Sequence, residues 1–157
     1  MLNLNYATLV KTYRYYAVLK PADLLETLGW QGKSVAHAGL ANGALLTSLA
    51  LLSAGAPLCG PLKVEAGPLA GGKVQNGANR LADWLGERHQ APEILSLDSG
   101  PEEVAYQLFG RRGLVAFIQD AGPSGGAIAL LDGHNASALC NAAQTCHPLE
   151  VRFWEIA

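Results

Sequence analysis

The chain has 157 residues, of which 50% are apolar and 15% are charged, with a formal net charge of −2. This length fits one domain over residues 1–157 with a substantial core, and the apolar content excludes an intrinsically disordered chain. No basic stripe accompanies the slight negative charge, so we expect no binding to nucleic acid.

The first half of the chain predicts helices. Apolar residues at helical spacing indicate a helix over Tyr6–Tyr16, and Pro21–Gly29 predicts a short helix that starts at proline and stops at glycine. Asn42 is the expected N-cap of a third helix over Gly43–Ser53. An amphipathic pattern predicts a further helix over Gly77–Arg88.

The second half of the chain predicts antiparallel strands. Leu114–Ile118 is an apolar run of strand type, and Ala127–Leu131 returns after the glycine-rich turn Gly122–Gly126. Alternating apolar residues predict a last strand over Glu150–Ile156. This order indicates the α+β class, with a helical N-terminal half packed on a small antiparallel sheet.

The chain shows no pattern of a membrane span or of a cleavable signal. Its longest apolar run, Ala44–Leu58, contains hydroxyl side chains and is shorter than the roughly 20 residues that a membrane helix needs. Met1–Tyr6 lacks the charged-then-apolar order of a signal peptide. We therefore expect synthesis in the cytoplasm, with export by a route that needs no cleavable signal left open.

Short stretches along nearly the whole chain, together with the N-terminal helix, share the order and spacing of one protein family. They are Gly29–Val35, Leu51–Gly55, Leu81–Leu85, Gly110–Phe117, Leu130–Gly133 and Phe153–Ile156. In this set the chain resembles the fourth family of type VI secretion amidase effectors. Those proteins are papain-like, NlpC-type enzymes that cleave peptide cross-links in bacterial cell walls. The resemblance implies a papain-like fold and a role in competition between bacteria.

The chain departs from this family where the family carries its catalytic residues. The family's cysteine lies in an Asn-x-Cys-Ala-x-Arg-x-Ser pattern, and the matching stretch, residues 41–48, has Gly43 for the cysteine and Leu46 for the arginine. Ala127 stands where the histidine follows the hairpin turn, and Ala138 stands near the position of the orienting acid. The resemblance therefore implies vestigial catalytic positions and no catalytic residue.

Hydrolysis of this type needs a thiolate beside an imidazole, which a glycine and an alanine cannot supply. Our leading interpretation is a degenerate relative that needs no cofactor and acts by binding, at a vestigial cleft formed by Asn42, Gly43, Ala127 and His37. The expected partner is a protein of the secretion apparatus or an immunity-like protein, and a peptidoglycan fragment is a further candidate. The alternative is an active cell-wall amidase or other hydrolase with a rearranged centre. Cys59 is the thiol to consider there, although a buried or half-exposed structural thiol is the better interpretation.

A second group of residues comprises His134, Cys140, Cys146 and His147. Four potential ligands in so short a stretch raise the alternative of a metal-binding secreted protein, but their spacing matches no common zinc motif. The related amidases often carry cysteines in this region and act outside the cytoplasm, which makes Cys140 and Cys146 a disulfide candidate. Two free thiols are the other possibility.

The resemblance also predicts how the vestigial positions are arranged. Gly43 and Ala127 are expected to face each other, one at a helix N-terminus and the other on the strand after the hairpin. We expect the apolar side chains of Leu45, Leu46 and Leu130 to collapse into the room that the smaller residues leave.

Overall fold

The computed structural model describes residues 3–32, 42–119, 125–144 and 148–156. The helices in these ranges are α1 (Tyr6–Ala17), α2 (Pro21–Thr27), α3 (Ala44–Ser53), α4 (Ala78–Arg88), α5 (Pro101–Leu108) and α6 (Ala136–Ala143). The strands are β1 (Leu62–Lys63), β2 (Lys73–Val74), β3 (Glu93–Leu95), β4 (Arg112–Ile118), β5 (Ala127–Asp132) and β6 (Glu150–Glu155).

Local signals set the ends of the first helices. The Asn5 side chain accepts a hydrogen bond from the Thr8 amide at 2.9 Å, which caps α1. Pro21 occupies the first turn of α2, and Gly29 follows the helix at a φ of +81°, a conformation that favours glycine. The helices predicted in the first half of the sequence are confirmed.

The main sheet has four antiparallel strands in the order β3-β6-β4-β5. β4 lies inside the sheet, where Leu114 pairs with Leu130 on β5 and with Trp154 on β6. β5 is an edge strand, and a separate antiparallel pair joins β1 to β2. The predicted antiparallel pairing of β4 with β5 and the predicted last strand are confirmed, while residues 122–124 of the predicted turn lie outside the described residues.

Helices cover both faces of the main sheet. On one face, Leu114, Ile128 and Leu130 pack with side chains of α1, α3 and α4, among them Leu9 and Leu81. The opposite face packs against α5 and α6, through a cluster that contains Val104, Leu108, Val115, Phe117, Leu131 and Cys140. The sheet therefore lies between two helical layers, and only the first of these layers was predicted.

A third cluster lies beside the first layer. It joins α2 and α3 to the β1–β2 pair through Leu24, Leu28, Trp30, Leu45, Leu49 and Val74. The indole Nε1 of Trp30 donates a hydrogen bond to the Lys63 carbonyl at 2.7 Å. This cluster fixes α3 from the side that faces away from β5.

The architecture is the predicted mixture of helices with small antiparallel sheets, but its order along the chain differs from the prediction. Helices do not all precede strands, because α5 and α6 lie among the strands of the second half. Within the described ranges, no helix combines the length and the apolar character needed to cross a bilayer.

Candidate functional site

The start of α3 is built from Asn42 and Gly43. Gly43 is the residue directly before the helix and has a φ of +78°, in the left-handed region that favours glycine. The Asn42 side chain accepts a hydrogen bond from the Ala44 amide at 2.9 Å and donates one to the Asn76 carbonyl at 3.2 Å. The prediction that Asn42 is the N-cap is therefore corrected by one residue, since Gly43 holds that position. Both polar atoms of the Asn42 side chain bind the chain's own backbone.

This helix start lies directly against the edge strand β5. The Ile128 amide donates a hydrogen bond to the Asn42 carbonyl at 2.9 Å. A Cβ atom added at Gly43 would overlap the carbonyl oxygen of Ile128 and lie 3.2 Å from its carbonyl carbon. The space in which a side chain at position 43 would begin is thus filled by the backbone of β5.

The structure brings positions 43 and 127 close together, but the contact is made by the backbone of Ile128, the residue after Ala127. Ala127 directly precedes Ile128 on β5, and successive strand residues point to opposite faces. Ile128 packs with Ala44 on the α3 side of the sheet, whereas Ala127 packs against the cluster on the α5–α6 side. The side chain at position 127 therefore lies on the face of the sheet that α3 does not cover.

The predicted collapse of three leucines at this place is wrong. Leu45 and Leu46 pack with Leu49 in the cluster that includes α2, while Leu130 belongs to the cluster around Leu114. The clusters differ because Leu45 and Leu46 lie on the side of α3 that faces away from β5. The Ile128 backbone fills the contact instead.

An amide network holds the two ends of the β4–β5 connection beside this contact. The Asn79 amide donates to the Gly125 carbonyl at 3.1 Å, and its side-chain oxygen accepts from the Gln119 amide at 3.3 Å. The Gln119 side chain in turn accepts from the Gly126 amide at 3.2 Å. Sequence reasoning missed Asn79 and Gln119, and the available signal was an amide in the first turn of an otherwise amphipathic helix.

Two hydroxyl side chains on α3 differ in how they are bonded. Ser48 is buried, donates to the Gln75 carbonyl at 3.0 Å and accepts from the Gln75 amide at 3.2 Å. It ties α3 to the segment that precedes α4. The adjacent Thr47 hydroxyl is buried and has no hydrogen-bond partner among the described residues.

The remaining predicted site residues do not gather at this contact. Ala138 is an exposed residue of α6, and His134 is an exposed residue whose amide donates to the Asp132 carboxylate at 2.8 Å. Cys59 is exposed, which corrects the expectation of a buried or half-exposed thiol. The role of Ala138 as the position of a lost acid stays a prediction.

The cysteine and histidine group of the second half is only partly described. Cys140 is a buried thiol in the layer of α5 and α6, and burial raises its pKa. Cys146, His147 and the cleft candidate His37 lie outside the described residues. No three potential metal ligands come together in the described part of the chain. The Cys140–Cys146 disulfide and the part of His37 in the cleft stay predictions.

The fold has close counterparts among solved structures. A crystal structure of the type VI effector–immunity complex Tae4–Tai4 from Salmonella Typhimurium contains a chain that is similar to this one, with a TM-score of 0.69, 16% identity and 99% coverage of both chains. The Tae4/Tai4 effector–immunity system from Salmonella typhimurium gives a TM-score of 0.68 at 17% identity and 99% coverage of both chains. The Tae4–Tai4 complex from Enterobacter cloacae gives 0.67 at 14% identity, with 99% of this chain and 100% of that chain covered.

Comparisons of the amino-acid sequence with protein families and with curated proteins give no match. No protein-family model matches the chain, and no curated protein is significantly similar to it. At the identities of the solved structures, the likeness establishes the fold and leaves the chemistry to be argued from the residues. The resemblance to type VI effector–immunity proteins is confirmed at that level.

Proposed function

We propose that this protein is a non-hydrolytic relative of the type VI amidase effectors, with a papain-like fold, and that it acts by binding another protein. The observation that carries the proposal is the contact between Gly43 and β5. A nucleophile at position 43 would have to start where the Ile128 carbonyl lies. The position that matches the family's cysteine therefore has neither the residue nor the room for it.

The surroundings of Gly43 support the same proposal. A cysteine nucleophile requires a base within hydrogen-bond reach. Position 127 carries an alanine, and its side chain packs on the opposite face of the sheet from Ala44. The Asn42 side chain binds the Ala44 amide, which a reactive helix N-terminus would direct at its nucleophile instead.

A protein partner is proposed because the similar solved structures are of effector–immunity complexes. A domain that retains this fold without its catalytic groups can retain a binding surface, since fold and site chemistry vary separately. We propose an immunity-like protein or a protein of the secretion apparatus as the partner. We further propose synthesis in the bacterial cytoplasm and export to the periplasm of a target cell.

The test is digestion of purified peptidoglycan. We expect no cleaved cross-links by mass spectrometry of the muropeptides after long incubation, while an active cell-wall amidase cleaves them in parallel. The Cys59→Ala variant is the matched control, because Cys59 is an exposed thiol. Cleavage by the wild-type protein that disappears in Cys59→Ala would contradict the proposal and identify an amidase with a rearranged centre.

A further inference from the structure

Helices α5 and α6 enclose a groove on the side of the sheet away from α3. Its volume is about 420 Å³, and its walls include Glu102, Tyr106 and Phe109 from the α5 side and Ser137 and Asn141 from α6. This volume lies in the range of sites that bind small ligands or a few inserted side chains. We call it the α5–α6 groove.

Two aromatic side chains of this groove are held open to solvent. Tyr106 is 79% exposed and Phe109 is 68% exposed, although Phe109 directly follows the fully buried Leu108. Val104 and Leu108 supply the apolar face by which α5 packs on the sheet. Folding therefore does not use Tyr106 and Phe109, and exposed aromatic residues at a concave surface are typical of protein-binding sites.

One acidic side chain, that of Glu102, lines the same groove. Glu102 forms no hydrogen bond or ion pair within the part of the chain that the structure describes. Glu103 and Asp98 are exposed close by in the sequence. Arg111, which follows α5, is paired with Glu93 at 3.0 Å and with Glu155 at 3.5 Å. The groove thus combines an unpaired carboxylate with an aromatic surface.

We propose that the α5–α6 groove is the docking site for a protein partner's segment that carries a lysine or arginine next to an apolar side chain. The basic group pairs with Glu102, and the apolar group packs on Tyr106 and Phe109. This inference rests on the proposed function, because it assigns the surface by which the protein binds its partner. Charge complementarity of this kind sets partner choice at interfaces.

A second copy of this chain is a poorer occupant of the groove. In a two-fold dimer the same patch meets itself, so that the Glu102 carboxylates of both copies would approach each other. Like charges in contact disfavour such an interface. A partner of opposite charge has no such penalty.

The chain offers a matched control groove. It lies between the end of α1 and residues 68–69, has a volume of about 400 Å³, and is lined by Lys11, Tyr15 and Leu69 among others. Its exposed tyrosine resembles Tyr106, but its charged wall residue is a cation. A substitution there tests whether any exposed tyrosine in a groove has the same effect.

The experiment is selection of binding peptides from a random library displayed on phage, with the full chain as target. We expect the selected peptides to combine basic and apolar residues. Their affinity, measured by calorimetry with the synthetic peptides, should fall at least about tenfold for Tyr106→Ala and for Phe109→Ser, as for central interface aromatics. Tyr15→Ala should leave it unchanged.

The charge is tested by exchange. The Glu102→Lys variant should bind the selected peptides more weakly. It should bind synthetic versions of them, in which glutamate replaces the basic residue, about as well as the wild-type protein binds the originals. Circular dichroism should show that each variant remains folded, since all the substituted side chains are exposed. Peptides without basic residues, an empty selection, or affinities insensitive to Tyr106→Ala and Glu102→Lys would overturn the proposal.

Two further measurements distinguish a second copy as the occupant and a failure of the proposed function from a failure of the groove proposal. A dimer in analytical ultracentrifugation that Phe109→Ser dissociates would make a second copy the occupant and would overturn the choice of partner. Digestion of peptidoglycan by this protein would refute the proposed non-hydrolytic function, while the measured affinity of the groove for the selected peptides would be unaffected. A failed selection would overturn the groove while the absence of hydrolysis stands.

Discussion

The contact between Gly43 and β5 and the α5–α6 groove are opposites. In the first, the backbone of an edge strand lies where a side chain would begin, and the nearby polar side chain of Asn42 binds the backbone. In the second, the fold leaves aromatic rings exposed and a carboxylate unpaired among the described residues. At Gly43 the lack of a side chain lets the β5 backbone approach and fill the space. At the α5–α6 groove, side chains that do not pack in the core stay exposed.

This difference shows where function can lie on the fold if the proposed loss of hydrolysis is correct. Resemblance directs attention to Gly43, since it predicts the family's nucleophile position there. The filled space at Gly43 and the exposed aromatic residues of the α5–α6 groove direct attention to the groove instead. The closed contact supports stability, so that substitutions there should act on folding, whereas substitutions in the groove should act on binding.

The strongest test of the closed contact is Gly43→Ala. We expect a loss of about 2–5 kcal/mol in the free energy of unfolding, because a left-handed backbone conformation and an overlap with the Ile128 carbonyl add together. Urea unfolding measures it. The Gly43→Cys, Ala127→His double variant should accordingly remain inactive on peptidoglycan.

The matched control is Gly55→Ala. Gly55 has a φ of +87°, but an added Cβ would meet nothing within 4 Å. It should lose only the conformational part, about 1–2 kcal/mol. Equal losses for the two variants would show that β5 yields easily and that position 43 is not closed.

A second comparison separates the two faces of α5. Leu108 is fully buried, so Leu108→Ala should lower the free energy of unfolding by about 2–4 kcal/mol through lost contacts and a cavity. Tyr106→Ala should change it by less than about 0.5 kcal/mol, as expected of an exposed side chain. Thermal unfolding of both variants gives the measurement. A large loss for Tyr106→Ala would mean that the ring supports the fold and is not reserved for a partner.

The third prediction concerns the two hydroxyls beside the closed contact. Ser48→Ala leaves the buried carbonyl and amide of Gln75 without their partner, which should cost about 1–3 kcal/mol. Thr47→Val removes a buried hydroxyl that has no partner among the described residues and should be neutral or stabilising. Denaturant unfolding compares the pair, and a stabilised Ser48→Ala variant would contradict this account.

Local patterns predicted part of the fold. Apolar residues at helical spacing indicated α1, in which Leu9 and Tyr16 are buried, and the apolar run Leu114–Ile118 indicated β4. The short helix α5 was missed although Gly100-Pro101 and two glutamates form a typical helix start. Eight residues carry too few turns for periodicity to stand out.

The candidate site was less predictable, because it depends on an approach between distant segments. Resemblance pointed to Gly43 and Ala127, but the direction of the Ala127 side chain follows from the pleat of β5. The close approach at Gly43 follows from where α3 meets that strand. No local signal reports that Ile128 lies against Gly43. The groove was missed for the same reason, since it exists only where α5 and α6 lie side by side.

The smallest expected effect concerns the ion pair between Glu93 and Arg111, the residue three positions after α5. The hydrogen bond from the Arg111 side chain, assisted by its charge, holds the pKa of Glu93 below its ordinary value of 4.5. Because the folded pKa is the lower one, the pair stabilises the protein above the unfolded pKa, and this contribution is lost as the pH falls through the folded pKa. Glu93 is 48% exposed, so Glu93→Gln should cost less than about 1 kcal/mol at pH 7 after solvent screening.

Urea unfolding of the wild-type protein and of Glu93→Gln over a pH series tests this linkage. The difference between them should shrink below about pH 4, where the wild-type carboxyl also becomes neutral. A difference that stays constant with pH would assign the loss of stability to packing.

The Glu93→Gln variant also bears on the comparison of the two regions. In it, Arg111 keeps its partner Glu155 and its place 4.5 Å from the Phe153 ring centre, but it loses the carboxylate of Glu93. If Arg111 then competes for Glu102, basic peptides should bind the groove slightly more weakly, while the contact at Gly43 should not change.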